Sequence, residues 1–466
     1  AAQNPTSFPC AITTSTRPTY CLRQLRTIAT DMNVRGRLDT IYCVDQGTDR
    51  VRSQEGFNKT AQDLGQQLTY IQQANLGGSG GFSRGMFETL RAGTSSYTML
   101  LDDDAISEPE SIIRAVQFAD YCVKPTIVGG GMFHLDNRTV LYAQSEIVNR
   151  NNMRPLPAVG QRYNQDYAQF PLRDQPHLHR RFDADFNGWW MCLIPTAIMK
   201  DIGLSLPVFI KYDDFEFGLR AQDHGYTTVS LPGVAVWHQA WHSKDPQRTW
   251  EDYFDNRNRW ICSLLHSSKP TPQLVYQMAY NDVTIGLRLV YSSLHLHHLA
   301  LRDVMRGPQY ILSSMPTKLA EVREARKGFS DTETRPNIDD FPPALAQYAP
   351  NSKPESPAAV KREGITTLLK DLISPRNGLQ DTNPAIAITA KDATWRAFRH
   401  QSSALVTSAD GNSVAWCKRD NKLMRTLMFR NLYLTKVFCK RFNALAEEYR
   451  AADLCSIEQW AKIFNE

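Results

Sequence analysis

Residues 97–105 read YTMLLDDDA, a short run of β-prone apolar residues that ends on three aspartates. A continuous apolar run of this length, closed by a polar turn, is the pattern of a strand buried on both faces, as in a parallel sheet. Outward from it the pattern repeats. Strand-like runs occupy 10–14, 39–44, 68–72 and 126–128, the last followed by glycines, and amphipathic stretches lie between them at 18–29, 56–65, 82–92 and 108–120. Such alternation builds a nucleotide-binding α/β sheet, with parallel strands joined by helical crossovers. Ligands of these sheets sit beyond the carboxyl ends of the strands. The residues found there are Arg17 after the first strand, Asp45 and Gln46 after the second, Asn75 after the third, and Asp102, Asp103 and Asp104 after the fourth.

Three clusters carry chemistry. Alternate carboxylates at a strand end, Asp102 and Asp104, can converge on one hard divalent cation and leave positions open for phosphate oxygens; a solvated acidic turn is the alternative. Adjacent acids repel, and a cation relieves the repulsion. The second cluster, NLGGSGG at 75–81, leads into a helix expected from Phe82. Its glycines allow close backbone approach to a ligand, and a helix N-terminus offers N–H groups to an anion. It has neither the Lys-Ser/Thr ending of a P-loop nor G-x-G-x-x-G spacing. The third cluster is NGWW at 187–190, YDDFE at 212–216 and WHQAW at 237–241. Successive side chains of an extended segment face opposite ways, so at least one of Trp189 and Trp190 is expected to face a cavity, where an aromatic face suits a sugar ring. Asp213 and Asp214 are either a surface pair or the holders of a general base, and His238 is either a core histidine or a metal ligand.

Taken in order, the α/β start, the glycine-rich turn, Asp-x-Asp, Trp-Trp, Asp-Asp and a late His resemble the inverting nucleotide-sugar glycosyltransferases of family 2 type and GT-A fold. NLGGSGGFSRGM at 75–86, LDDDA at 101–105, FNGWWMC at 186–192 and FIKYDDFEFGLRAQDHGYTTVSLPGVAVWHQAW at 209–241 are similar to the polymerising galactofuranosyltransferases of mycobacterial and corynebacterial cell-wall galactan. The resemblance covers most of residues 9–465 and is densest between 75 and 260. It implies transfer of galactofuranose from UDP-galactofuranose to a lipid-linked galactan in cell-wall arabinogalactan synthesis. Arg17, Gln46, Asn75 and Asp102 match donor-contacting positions, and Asp102, Asp104 and His238 match ligands of Mn²⁺ or Mg²⁺. Asp214 matches the catalytic base, with Trp189, Trp190, Asp213 and Glu146 around the acceptor sugar. The chain departs from the mycobacterial pattern on the acceptor side. Tyr142 and Pro155 stand where those members have His and Trp, and Asp255 stands where they have a His, which leaves linkage order and product length open. The family's N-terminal β-sandwich has no match in this sequence, which begins without Met and reaches a strand almost at once; that part is either naturally absent or trimmed. A homo-oligomer, in tetrameric form, is also implied. Two other readings stay open: an initiating galactofuranosyltransferase or related nucleotide-sugar transferase, and a non-catalytic polysaccharide-binding assembly protein.

Along the chain the expected organisation is a GT-A, Rossmann-like α/β catalytic domain at 1–270, a helical region at 271–328, a linker rich in Pro, Ser, Asp and Glu at 329–364, and a C-terminal region at 365–466. Short strands are expected in the last at 385–389, 395–398, 403–408 and 414–417, with a hairpin turn at Asp410-Gly411, followed by a basic helix over 420–450. Residues 417–450 hold nine basic and three acidic side chains, a surplus of six against +5 for the whole chain. The basic surface is therefore local, which fits peripheral contact with an anionic membrane from the cytoplasmic side and not a nucleic-acid-coating protein. With 42% hydrophobic and 22% charged residues the composition argues against disorder, fibrous repeats and an integral membrane protein. No signal peptide is visible, and Asp282, Arg288 and Asp303 interrupt the most apolar segment, 274–305, so it is not a spanning helix. Nine widely spaced cysteines with no Cys-x-x-Cys fit reduced packing residues of a cytoplasmic protein. His295, His297 and His298 lie in an apolar helix without acids at ligand spacing and are expected to be structural.

Overall fold

The acidic strand end belongs to the middle of a mixed sheet. A computed structural model describes residues 6–239, 244–349 and 357–466. Its strands are β1 (Phe8–Thr14), β2 (Leu38–Asp45), β3 (Leu68–Gln72), β4 (Tyr97–Asp102), β5 (Ala105–Ser107), β6 (Thr126–His134), β7 (Val140–Ala143), β8 (Glu146–Asn149), β9 (Arg154–Pro157), β10 (Gln165–Asp166), β11 (Phe182–Ala184), β12 (Met191–Pro195) and β13 (Thr227–His238). The main path runs β10-β7-β6-β12-β4-β1-β2-β3. Strands β4, β1, β2 and β3 are parallel, and β12 enters antiparallel between β4 and β6. Strand order reverses between β1 and β4, so the switch point of the sheet falls beside Thr14, Arg17 and Asp102. All seven residues of β1 are buried, as a strand covered on both faces requires.

The helix α1 (Pro18–Thr30) starts on a proline at its first position, where no N–H is needed. The glycine-rich stretch differs from the expected turn. Helix α2 (Gly77–Ala92) already includes it, beginning five residues before Phe82. Packing explains the glycines: a Cβ on Gly81 would lie 1.8 Å from Thr13 Oγ1, and one on Gly85 would lie 2.2 Å from the Ala11 Cβ. They let the helix lie directly on β1.

The chain divides into two compact units, Ala1–Ala240 with Ala451–Glu466, and Trp241–Arg450. The division falls before residue 270, and the C-terminal residues return to the first unit. Trp460 there is fully buried and donates to the Ser205 carbonyl at 2.8 Å, while Glu466 pairs with Arg84 at 2.5 Å and Arg91 at 2.6 Å.

In the second unit, helices Glu251–His266, Pro272–Leu287 and Tyr291–Val304 precede a four-stranded sheet with Thr334–Arg335 at one edge and Ile386–Thr389 at the other. The hairpin between Ser403–Thr407 and Val414–Lys418 turns at Gly411, whose φ of 75° suits glycine. Helix Asn421–Ala451 buries Leu427, Phe438, Phe442 and Leu445 along the expected stripe. Two expectations fail. Residues 395–398 form a helical turn, placing Ala397 and Phe398 in the core with Trp395 packed against it. The 329–364 segment is not wholly an extended linker: it supplies the edge strand Thr334–Arg335 and the start of helix Pro357–Ile373, while 350–356 lies outside the described residues. His297 also has acidic neighbours after all: Asp282 is 2.5 Å from Nδ1 and Asp252 is 2.8 Å from Nε2. Burial alone would lower its pKa, but the two carboxylates override this and lift it to about 10. The role is structural, since an imidazolium held from both sides has no nitrogen left for a metal.

A Gly85→Ala substitution weighs two effects. Helix propensity gains about 1 kcal/mol, while forcing a methyl into the β1 contact costs about 1–3 kcal/mol. A Cβ placed 2.2 Å from that of Ala11 is well inside van der Waals contact, so overpacking wins. Thermal unfolding of G85A should show a lower midpoint than the parent chain.

Candidate active site

Register brings the first cluster together. The end of β13 pairs with β5, setting His238 opposite Ala105, the residue that follows Asp104. The buried His238 then points its Nε2 between two carboxylates, 3.2 Å from Asp102 Oδ2 and 2.7 Å from Asp104 Oδ1. Its Nδ1 lies 2.9 Å from the Gln239 carbonyl, which orients the ring. Burial alone would lower the imidazole pKa, but the hydrogen bonds to Asp102 and Asp104 override it and raise it to about 10. Arg17 Nε is 3.7 Å from Asp104 Oδ2 on the other side. Asp103 is buried, and burial with its two neighbours pushes its carboxyl well up. Ala240 and Trp241, which end the quoted motif, lie outside the described residues.

These three side chains can offer one ligand atom each, all within 4.8 Å of one another, the one such group among the described residues. Two carboxylate oxygens and an imidazole nitrogen suit a divalent cation.

The turn before α2 is tied down on both sides. Asn75 Oδ1 accepts from Gly77 N–H at 3.0 Å. Gln46, buried below, donates to the Gly77 carbonyl at 2.9 Å and accepts from Leu76 N–H at 2.9 Å, so its amide is engaged in holding the turn. Ser79 N–H donates to the Phe209 carbonyl at 3.0 Å, joining the turn to the segment that carries the aspartate pair. In that segment Phe209, Lys211 and Tyr212 all have left-handed φ, 72°, 65° and 65°. Non-glycine residues held this way carry strain of about 1–3 kcal/mol each, and such strain gathers at functional sites.

Helix α3 (Asp213–Asp223) therefore starts on two acids, and Asp213 Oδ2 lies 3.4 Å from where Gly78 would carry a Cβ. Burial, with the charge of Asp214, raises Asp213 to about 8. Burial also raises Asp214 to about 7; the Phe215 N–H, donating at 2.7 Å, works against this, and Glu146 adds to it. Glu146, at the start of β8, is itself raised to about 7 by burial, opposed by a hydrogen bond from Tyr163 at 2.7 Å. Tyr163 was not anticipated. It lies in a connection with no periodic pattern, and only the fold shows that it reaches Glu146.

The tryptophans correct an expectation. Trp189 and Trp190 are 5% and 9% exposed, so neither opens broadly on a cavity. They lie in a turn, not an extended segment, which removes the alternation on which the expectation rested. Gly188 makes this possible, because a Cβ there would lie 2.1 Å from the Trp190 ring. Trp190 Nε1 donates to the Gly130 carbonyl at 2.6 Å, and Trp189 packs edge-on to Phe82 and Phe217. Of the departing positions, Tyr142 stacks on Tyr163, Pro155 lies in β9 and Asp255 lies in the second unit.

Residues 5–263 match the glycosyltransferase like family 2, and residues 274–466 match galactofuranosyltransferase-2, domain 3. The chain is 34% identical over 464 residues to the galactofuranosyltransferase GlfT2 of Mycolicibacterium smegmatis, covering 97% of this chain and 71% of that one. It is 34% identical over 459 residues to GlfT2 of Mycobacterium tuberculosis, covering 96% and 72%. Among solved structures it is similar to GalNAc-T7 with UDP, GalNAc and Mn²⁺ (10% identity, 60% of this chain and 51% of that one, TM-score 0.44). It is also similar to the mannosyltransferase PcManGT of Pyrobaculum calidifontis with GDP-Man and Mn²⁺ (12%, 71% and 85%, TM-score 0.36).

The raised carboxyl of Asp213 has a consequence for stability. A carboxyl lifted from the ordinary range to about 8 contributes stability that is full below the unfolded pKa and is lost as pH rises through the folded value. An Asp213→Asn chain escapes that loss. Its midpoint relative to the parent should rise steadily from pH 5 to pH 8.5 in thermal unfolding; a difference that does not change with pH counts against a buried, strained carboxylate.

Proposed function

The chain belongs to the galactofuranosyltransferases of glycosyltransferase family 2 and has their GT-A fold, and from that membership we propose that it moves galactofuranose from UDP-galactofuranose onto a growing, lipid-linked galactan. The observation that carries the reading is the pair of acidic groups with different surroundings. Asp102 and Asp104 converge with His238 on one point, whereas Asp214 stands at a helix start with its carboxyl held near 7.

In this reading Asp102, Asp104 and His238 would hold Mn²⁺ or Mg²⁺. When bound, the ion offsets charge on the diphosphate as the sugar leaves, so no side-chain acid need protonate the leaving group. Arg17 and Asn75 flank the donor with Asp102, and Gln46 acts on it by fixing the turn. Asp213 and Glu146 form the acceptor side, and Trp189 and Trp190, at 5% and 9% exposure, meet the acceptor with no more than an edge. Asp214 draws the proton from the acceptor hydroxyl while that oxygen attacks the anomeric carbon; the bond to the UDP diphosphate breaks on the opposite face, and configuration inverts. A carboxyl near 7 suits a base working at neutral pH, because about half of it is ionised and it still has appreciable proton affinity.

The membrane part of the reading rests on helix Asn421–Ala451. Lys422, Phe429, Tyr433, Lys436 and Lys440 share one exposed face, with Phe429 at 60% and Tyr433 at 70% exposure. Basic and aromatic side chains on one helix face suit an anionic lipid surface. Arg419 takes no part, being fully buried against Asp371 at 2.5 Å. Among the described residues no helix is long and apolar enough to cross a membrane. We place the chain on the cytoplasmic face, as a homo-oligomer.

The deciding assay mixes the full chain with UDP-galactofuranose, Mn²⁺ and a short synthetic galactofuranose acceptor, and reads UDP release and product mass with a chelator control. Metal-dependent addition of several sugars is expected; acceptor binding without any UDP release would favour a binding protein. Asp214→Asn should lower transfer by about 10²–10⁴-fold while UDP still binds. Acceptor kcat/KM should climb about tenfold per pH unit below about 7 and level off above it. For the membrane, neutralising Lys422, Lys436 and Lys440 together should weaken binding to anionic vesicles and flatten its salt dependence; unchanged, salt-insensitive binding would contradict the assignment.

A further inference from the structure

Glu146 is 6% exposed, and among the described residues the one side chain hydrogen-bonded to its carboxyl is Tyr163, which donates to Oε1 at 2.7 Å. Among the described residues Oε2 has no hydrogen-bonded partner. The two tyrosines beside it are held from several directions. The ring of Tyr163 stacks on Tyr142 at 5.1 Å with the planes 25° apart, and Tyr142 meets His134 edge-on at 6.1 Å. His134 Nε2 lies 2.8 Å from the side chain of Asn164, the residue after Tyr163. Asn164 is itself left-handed, with φ of 57°, and its N–H donates to the Tyr142 carbonyl at 3.0 Å. Two adjacent loop residues, Tyr163 tied by the stack and Asn164 by a side-chain bond and a backbone bond, are more constrained than surface packing requires. Because each tie returns to β6 or β7, the Tyr163 hydroxyl keeps a fixed place over Glu146.

We propose that Tyr163 is a positioning residue of the acceptor site: its hydroxyl fixes Oε1 of Glu146 so that Oε2 is presented to a hydroxyl of the incoming sugar, and its ring with that of Tyr142 forms the wall beside which the sugar lies. The proposal rests on the reading of Glu146 as an acceptor contact. Physically, a buried carboxyl with one oxygen tied has a single orientation to offer, whereas an untied one rotates and must be ordered when the acceptor binds. The stacked rings supply a flat apolar face of the kind on which a sugar ring can lie, and Tyr142 stands where the mycobacterial pattern has a His, so the wall is a place where this chain's acceptor preference can differ. Among the described residues three titratable groups act electrostatically on or with Glu146: Tyr163 from the loop before β10, Tyr142 from β7 and Asp214 from the start of α3.

The test compares Tyr163→Phe, Glu146→Gln and the double variant in the full chain, with steady-state kinetics on UDP-galactofuranose and a synthetic galactofuranose disaccharide. Tyr163→Phe keeps the stack and removes one hydrogen bond. The acceptor KM should rise about tenfold with kcat changed less than about twofold. In the Glu146→Gln background the same substitution should cost less than about twofold, because Tyr163 acts through Glu146. Titration of UDP with Mn²⁺ checks that each variant is folded. An unchanged acceptor KM in Y163F, or losses that multiply in the double variant, would overturn the assignment while leaving the acceptor role of Glu146 intact. An unchanged acceptor KM in E146Q would instead remove the acceptor reading itself, and the proposal with it.

Discussion

Repulsion among carboxyl groups that the fold crowds together governs the first unit. Three aspartates stand at the end of β4 and two open α3, where Asp214 also senses Glu146. Water would screen such charges, but most of these groups are buried, so each must be compensated locally or give up its charge. The fold does both. Around Asp102 and Asp104 it provides positive charge, through His238 and Arg17. Around Asp213, Asp214 and Glu146 it provides little, and those carboxyls are pushed up towards and above neutrality. The same residue type thus sits beside positive charge in one place and holds its proton more tightly than usual in the other.

The surroundings of these acids are built from backbone as much as from side chains. Glycines let α2 sit on β1, and Gln46 and Asn75 lock the turn that precedes it. The left-handed residues before Asp213 are then held against that turn by the bond from Ser79 to Phe209. Strain in this segment is offset by packing elsewhere, and the aspartate pair inherits a fixed direction from it.

Features that depend on local pattern were legible in the sequence: the buried strands, their polar ends, the Asp-x-Asp pair and the stripe on the last long helix. Features that depend on pairing across the chain were not. The two tryptophans look alternate in a row of letters, but a turn at Gly188 lets both face inward. The glycine run looks like a flexible turn, although it is the first part of a helix that lies against Thr13 at Gly81. His297 stands next to no acid in sequence, and Asp252 and Asp282 reach it only when two other helices pack against its own. The place of His238 is the intermediate case. Its residue type was readable, while its meeting with Asp102 and Asp104 follows from the register of β13 on β5.

If compensation of buried acid is the central constraint, a cation and the His238 proton compete for one place. Calorimetric titration of Mn²⁺ into the chain with UDP present, repeated from pH 6 to pH 8 in buffers of different ionisation enthalpy, measures that competition directly. The account predicts release of about one proton per ion bound and an affinity that falls about tenfold for each unit the pH drops, with both effects lost in His238→Ala. Manganese affinity independent of pH, with no proton released, would contradict it.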